Sequence, residues 1–398
     1  MADEHWVPRR LGEEEKRMRM RRNNLLSMIL LAVLALAGVA RAQERPQFLW
    51  GPGEARFTVG SGVDRDTAAA AMAQLPIASP VMPMWNGSFT HGTTFPFTMI
   101  GTDPALGSKT TTIKTMIVPL IFSFSDGSVL NPTKKVFCGS KSSALTLTRQ
   151  SPIFQSFDFP TGATNVGKSQ YGDAFQRANF WTNVSTTSPK YHVLLSKTGQ
   201  TSPVKIVVPL ADGTTISGPC GPIGEVDIGW FDGVVVPSLL ATLHQIKPNV
   251  LPIFLNYNVF MTELGSCCIL GYHSAVLTSG GVQTYASAAF SDPGVFTVPI
   301  EDVMALGHEV AEWMDDPLIN NATPAWGNIG QVVGCQSNLE VGDPLTGTVF
   351  TDTGLNHFTY HLQDLASVPW FAKASSSTSV NGWFSFTGTF MISAAACT

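Results

Sequence analysis

The chain has 398 residues, with 24 Lys+Arg against 29 Asp+Glu and 44% hydrophobic residues. The apolar content is ample for a core and sets disorder aside. The acidic balance, with no basic run, argues against a nucleic-acid binder. The length suits one large domain or two smaller ones.

Residues 1–42 read as a secretory signal peptide. Arg17, Arg19, Arg21 and Arg22 precede the apolar stretch 25–40, and Ala40-Arg41-Ala42 follows as an A-x-A cleavage site. The stretch is short for a membrane span, so the only membrane association expected is through this segment. Glu13, Glu14 and Glu15 are foreign to a basic leader, so translation is expected to start at Met18 or Met20. The segment holds 8 of the 24 Lys+Arg and 5 of the 29 Asp+Glu, which leaves the mature chain at net −8. The expected destination is secretion, the periplasm or the cell envelope.

All six cysteines lie in the mature part, and an even count in an exported chain favours disulfides. Cys267 and Cys268 are adjacent, so each is expected to bond elsewhere. The chain has no C-x-x-C, which argues against a cysteine zinc site. Asn86, Asn183 and Asn321 begin N-x-[ST] sequons.

In chain order, residues 43–80 show no clear periodicity and read as an extended lead-in. Residues 81–398 read as a single α+β domain. The segment 113–124 is rich in Ile, Val and Phe and is followed by Asp126-Gly127, the pattern of a strand and turn. Residues 171–182 place Phe175, Ala178 and Trp181 at helical spacing. Strands are predicted at 203–209, 252–261, 267–273 and 282–289, with a helix at 236–246. The C-terminal region after 317 reads as loop-rich.

The strongest helix prediction covers 299–316. Pro299 suits a first helical turn, and Glu301 and Asp302 suit the positive N-terminal end. Pro317 biases Asp316 out of the helix and stops the run. At about 100° per residue, Leu306, Trp313, Val310, Val303 and Met314 share one side. His308, Glu309, Glu312 and Asp315 gather on the other. Acids in the last turns meet the negative end of the helix dipole and repel one another. A bound cation explains such a cluster.

Within the helix stands H-E-V-A-E, residues 308–312. A ligand at i and another at i+4 point to one side, and the residue after the first His can act as base for an activated water. His308 and Glu312 are therefore candidate metal ligands and Glu309 the candidate catalytic base. Glu312 stands where the zincin motif has a second His. Carboxylates bind zinc, and an acid-rich site also admits calcium or manganese. Further along, Leu339-Glu340-Val341-Gly342-Asp343-Pro344 offers Glu340 and Asp343 as completing ligands.

H-E-V-A-E, Asp316-Pro317, Trp326 and E-V-G-D together resemble the EXORDIUM or phosphate-induced family of secreted proteins. CCILGYH, ending in His273, adds to the likeness, which covers roughly 265–345. The resemblance implies a diverged relative of proteins linked to the cell wall and growth, and it leaves catalysis open. The order of a mixed sheet followed by the metal-site helix also resembles the zincin architecture.

These features lead to the expectation of an exported, zincin-like metal-dependent hydrolase acting on a peptide, protein or cell-wall substrate. The alternatives are a non-catalytic envelope protein with a structural metal, and a carbohydrate-binding or carbohydrate-cleaving protein. Glu309 and Glu312 could serve the latter as paired acids, and six of nine tryptophans lie beyond residue 180. His357 and His361, four apart, would share a helix face, either as a structural pair or as a further functional site.

Overall fold

In the computed structural model, the Ile/Val/Phe-rich segment forms a 14-residue strand, β1 (Thr110–Ser123). The described residues are 49–50, 56–57, 62–74, 81–161, 164–196, 199–327, 335–375 and 380–389. The expected signal peptide lies outside them. They belong to the contact unit spanning 48–398. Among them no helix is long and apolar enough to cross a membrane.

The main sheet grows from β1 in both directions. On one side lies β2 (Val250–Tyr257), parallel to β1 with Ile253 opposite Ile117. Next comes a hairpin of β3 (Gly271–Thr278) and β4 (Gly281–Phe290), with β4 parallel to β2 and β3 at the edge. The other side of β1 takes the short parallel strands His192–Leu195, Gly199–Gln200 and Val204–Val207. Val129–Leu130 returns antiparallel after the Asp126-Gly127 turn. Every residue of β2 and β4 is buried, as strands covered on both faces must be. A mixed four-stranded sheet, two-stranded ribbons and several helices complete an α+β architecture.

Helix α1 (Tyr171–Asn179) confirms the helical spacing around Phe175 and packs on α2 (Met304–Asp315). Helix α2 crosses β3 and β4, and all twelve of its residues are buried. Its end falls where Pro317 predicts, but its start is later than expected. Asp302 pairs its backbone with Ser291 in an antiparallel bridge and adopts φ +46°. With those groups committed to a strand end, Glu301 and Asp302 do not form the first helical turn.

Several other expectations change for identifiable reasons. The predicted strand 252–261 breaks at Asn258, which adopts φ +51°, a conformation asparagine tolerates better than most residues. Its amide is held by Asp292 and its backbone N–H by Phe290, so Val259–Glu263 enters the smaller sheet instead. CCILGYH divides in the same way. Ser266–Ile269 stays in the smaller sheet and Gly271 begins β3, because Leu270 is engaged between Arg56 and Ala289.

Cys267 and Cys268 bond to each other rather than elsewhere, their peptide being cis with the Cα atoms 3.1 Å apart. Cys138 pairs with Cys220, and Cys335 is also disulfide-bonded. The lead-in is not wholly extended: Arg65–Ala73 is helical. Its alanines are strong helix formers, and Asp64 Oδ1 caps it by accepting from the Thr67 N–H at 2.9 Å. His357 and His361 lie on the hairpin Val349–Thr353/Thr359–Gln363 and not on a helix face. Trp313, Trp326 and Trp370 are core residues, which removes them from any sugar-binding surface. Asn321 is buried with its amide bonded to Thr98 and Asp315, so its sequon is closed to a glycan in the folded protein.

The Cys138–Cys220 bond spans 82 residues. Loop-closure entropy of that length makes its removal costly, about 2–5 kcal/mol. The double variant Cys138→Ser/Cys220→Ser should lower the urea midpoint in equilibrium unfolding, with the slope rising as the unfolded chain expands. An unchanged midpoint would refute the estimate.

Candidate metal centre

Helix α2 brings His308, Glu309 and Glu312 to one place, because residues one, three and four apart share adjoining faces. The Glu340–Asp343 loop comes to the same place by tertiary packing. Gly342 donates its backbone N–H to Glu312 Oε1 at 2.9 Å. The approach is close enough that a Cβ at Gly342 would lie 2.3 Å from His308 Nδ1. Only glycine fits there.

On the other side of the helix lies the edge hairpin. Gly271 and His273, two residues apart on β3, share a face of the sheet with their cross-strand partners Ala288 and Ala286. These small neighbours let the helix settle on the sheet. A Cβ at Gly271 would stand 2.8 Å from Glu309 Cγ. His273 thereby reaches the helical acids, with Nδ1 at 3.2 Å from Glu309 Oε2 and 3.8 Å from Glu312 Oε2.

The outer nitrogen of each imidazole is fixed by the protein. His308 Nδ1 faces Gln363 Oε1 at 3.0 Å. That amide is oriented by its own Nε2, which donates to the Gly342 carbonyl, so Nδ1 carries the proton. His273 Nε2 faces the Asp316 carbonyl at 3.2 Å. A carbonyl only accepts, so Nε2 carries the proton there. The inner nitrogens, His308 Nε2 and His273 Nδ1, therefore face carboxylates, His273 Nδ1 within hydrogen-bond geometry of Glu309 Oε2. His308 Nε2 lies 3.0 Å from Glu312 Oε2 and 3.7 Å from Asp343 Oδ1, yet it has no properly aligned hydrogen-bond partner, and neither does Glu309 Oε1. Both histidine arrangements match the outer-shell hydrogen bonding that orients metal-bound imidazoles.

Two groups have the proximity a metal requires, His308/Glu312/Asp343 and His273/Glu309/Glu312, each with one atom per residue within 4.8 Å of the others. Three of the four ligands expected from sequence, His308, Glu312 and Asp343, thus come together. Glu340 is buried beside them but belongs to neither group; its Oε1 accepts from Asn338 at 3.0 Å. Glu309, the expected base, lies within the second group. Sequence reasoning did not make His273 a ligand, although it closes CCILGYH and follows a glycine by two residues. Gln363 carried no signal, since its role depends on a hairpin meeting a distant loop. Asp315 turns away to α1 and accepts from Gln176 Nε2 at 2.5 Å and Asn179 Nδ2 at 3.1 Å.

The electrostatics follow from burial. Burial first, then the charges of Glu312 and Asp343, pushes Glu309 well above the usual carboxylate range. Asp343 rises to about 8, through burial and then Glu312. Burial opposes the charge on Glu312 too, but His308 and His273 outweigh it and hold Glu312 low. Burial lowers His273 to about 4. His308 is also penalised by burial, yet Glu312 and Asp343 keep it above its ordinary value. A proton on His308 and a metal ion on its Nε2 answer the same need.

Searches against protein-family models, curated proteins and solved structures find no match.

Two outcomes test this geometry. Gly342→Ala should displace the His308 ring, costing about 1–3 kcal/mol as overpacking, and should weaken any metal binding that uses His308. Uptake at the native level would show that the contact is unimportant.

Beside the helix start, His361 Nδ1 lies 2.6 Å from Asp302 Oδ2 and Nε2 lies 3.3 Å from Glu301 Oε1. Burial disfavours its charge, but Asp302 and Glu301 together hold His361 above the ordinary value of 6.5. A raised folded-state value stabilises the protein fully below the unfolded value. That contribution is lost as pH rises from about 6.5 through the folded value. A pH series of urea melts should show this fall in the wild type and not in His361→Gln. Parallel curves would refute the assignment.

Proposed function

We propose that the protein is an exported metal-dependent hydrolase of zincin-like build, with His308, Glu312 and Asp343 holding the ion. The observation that carries this reading is the imidazole of His308: its proton is held at Gln363, and its unpartnered inner nitrogen is aimed at two buried carboxylates. A mixed imidazole and carboxylate set favours zinc, with manganese the next choice, over calcium's all-oxygen shells. The mixed sheet precedes the helix in the chain, as in the zincin order, and the motif likeness to the EXORDIUM family supports an extracellular or cell-wall setting. A peptide bond in a protein or cell-wall substrate is the proposed target.

The residues divide the work. Gln363 orients His308, and the Gly342 N–H takes up one oxygen of Glu312, leaving Oε2 for the ion. A divalent ion bound there would supply Lewis acidity that brings a water's pKa toward neutrality. Glu309 stands beside the ligands with a carboxylate that burial makes basic. In a centre with one ion it is the group that takes the water's proton.

One observation favours a second reading, a non-catalytic envelope protein with a structural metal: His308, Glu312 and Asp343 are 0%, 3% and 4% exposed, and Phe57 stacks on His308 with ring centroids 3.6 Å apart. Metal analysis of the purified chain tests both readings. Stoichiometric metal that is lost in His308→Ala is expected; metal-free wild-type protein, with His308→Ala melting at the same temperature, would end both. Glu309→Gln then separates them. On the first reading it keeps the ion at His308 and cuts hydrolysis of a general protein substrate by at least 10²-fold. On the second, wild type and variant are equally inactive.

A further inference from the structure

His273, Glu309 and Glu312 stand next to the first ligand set as a triad of their own. We propose that the centre is dinuclear, with one divalent transition ion at His308, Glu312 and Asp343 and a second at His273, Glu309 and Glu312. The Glu312 carboxylate bridges the two. The inference rests on the metal-centre reading above and extends it.

The spacing supports two ions. Ligand atoms on a tetrahedral zinc lie about 3.3–3.4 Å apart, from bonds of about 2.0–2.1 Å. The first triad has separations of 3.0 and 3.7 Å about His308 Nε2, and the second has 3.2 and 3.8 Å about His273 Nδ1. The two separations about each histidine nitrogen bracket the expected edge, and the third edge of each triad lies within 4.8 Å. The two triads share Glu312 alone, and among the described residues no such group holds both histidines. Two ligands of one ion cannot lie farther apart than about 4.2 Å, twice the bond length. A single ion therefore cannot collect both imidazoles as they stand.

The second site is also built in its own right. His273 is 1% exposed, and its outer nitrogen is committed to the Asp316 carbonyl, which leaves Nδ1 facing inward. Glu309 is fully buried, and its Oε1 has no hydrogen-bond partner. The missing side chain at Gly271 lets Glu309 pack directly against the strand, since a Cβ would lie 2.9 Å from that oxygen. Glu312 Oε1 is engaged by Gly342, so Oε2 faces both histidines.

Glu309, Glu312 and Asp343, the carboxylates of the two triads, are all buried at this spot. Two-metal hydrolytic sites hold their ions roughly 3.5–4 Å apart so that both act on one oxygen. In that arrangement Glu309 would serve as a ligand, and the two cations would supply the Lewis acidity.

The test is metal stoichiometry on the intact mature chain, by plasma mass spectrometry and by titration of chelator-treated protein with zinc. Two equivalents per chain are expected, falling to one in His273→Ala and to one in Asp343→Asn. Wild-type protein loaded with manganese should show the exchange-coupled resonance signal of a paired ion, a readout that needs no variant to fold. One equivalent in the wild type, with an uncoupled manganese signal and no loss in His273→Ala, would overturn the second site and leave the first reading standing. No bound metal at all would overturn both.

Discussion

Four acids in the last two turns and the cap of one buried helix, Glu309, Glu312, Asp315 and Asp316, must be made tolerable against the negative end of that helix. Much of the structure around α2 does this. Asp315 receives two side-chain amides from α1, and Asp316 accepts the backbone N–H groups of Asn320 and Asn321. Glu312 receives the N–H of Gly342. These donors settle the outer acids. Asp343, across from them, accepts from Gln336 Nε2 at 3.3 Å, while Glu309 and one oxygen of Glu312 face inward, where the nearest nitrogens are those of His273 and His308. Two lone-pair-bearing groups at 3 Å in a dry interior require a cation between them, either a proton or a metal.

The centre also depends on close approach. Three separate segments bring groups to the acids and His308 of α2: the edge strand β3, the loop at 339–345 and the hairpin that carries Gln363. Two glycines set the distances, Gly271 beneath Glu309 and Gly342 against the His308 ring. Ala286 and Ala288 keep the sheet surface low under the helix. Cross-strand pairing in β3 and β4 places His273 on the same face as Gly271, so the strand that yields to the helix also supplies a nitrogen to its acids. Packing and chemistry here use the same residues.

Legibility from sequence followed the range of the interactions. The helix end at Pro317, the helix around Phe175 and the turn after Asp126-Gly127 depend on neighbours in the chain and could be read directly. The pairing of H-E-V-A-E with E-V-G-D could be read as motif, because each part is local even though their meeting is not. The helix start could not, since Asp302 is drawn into a bridge with Ser291, a residue of no distinctive type. The breaks at Asn258 and Leu270 were hidden for the same reason: each strand changes sheets where a distant backbone group captures it. His361 looked like one member of a helical pair until hairpin pairing placed it against Asp302.

By itself, the sequence determined an acidic, core-forming α+β chain, a helix bearing a histidine and three acids, and a second acidic loop for it to meet. Those follow from composition, periodicity and stop signals, which act over a few residues. Tertiary structure alone decided which carboxylates share a nitrogen. Glu340 and Asp343 are three apart in one loop and indistinguishable by pattern, yet Asp343 joins His308 while Glu340 accepts from Asn338. His273 and Gln363 entered the centre because β3 and a C-terminal hairpin were carried to opposite sides of α2, and long-range packing of that kind leaves no local mark in a sequence.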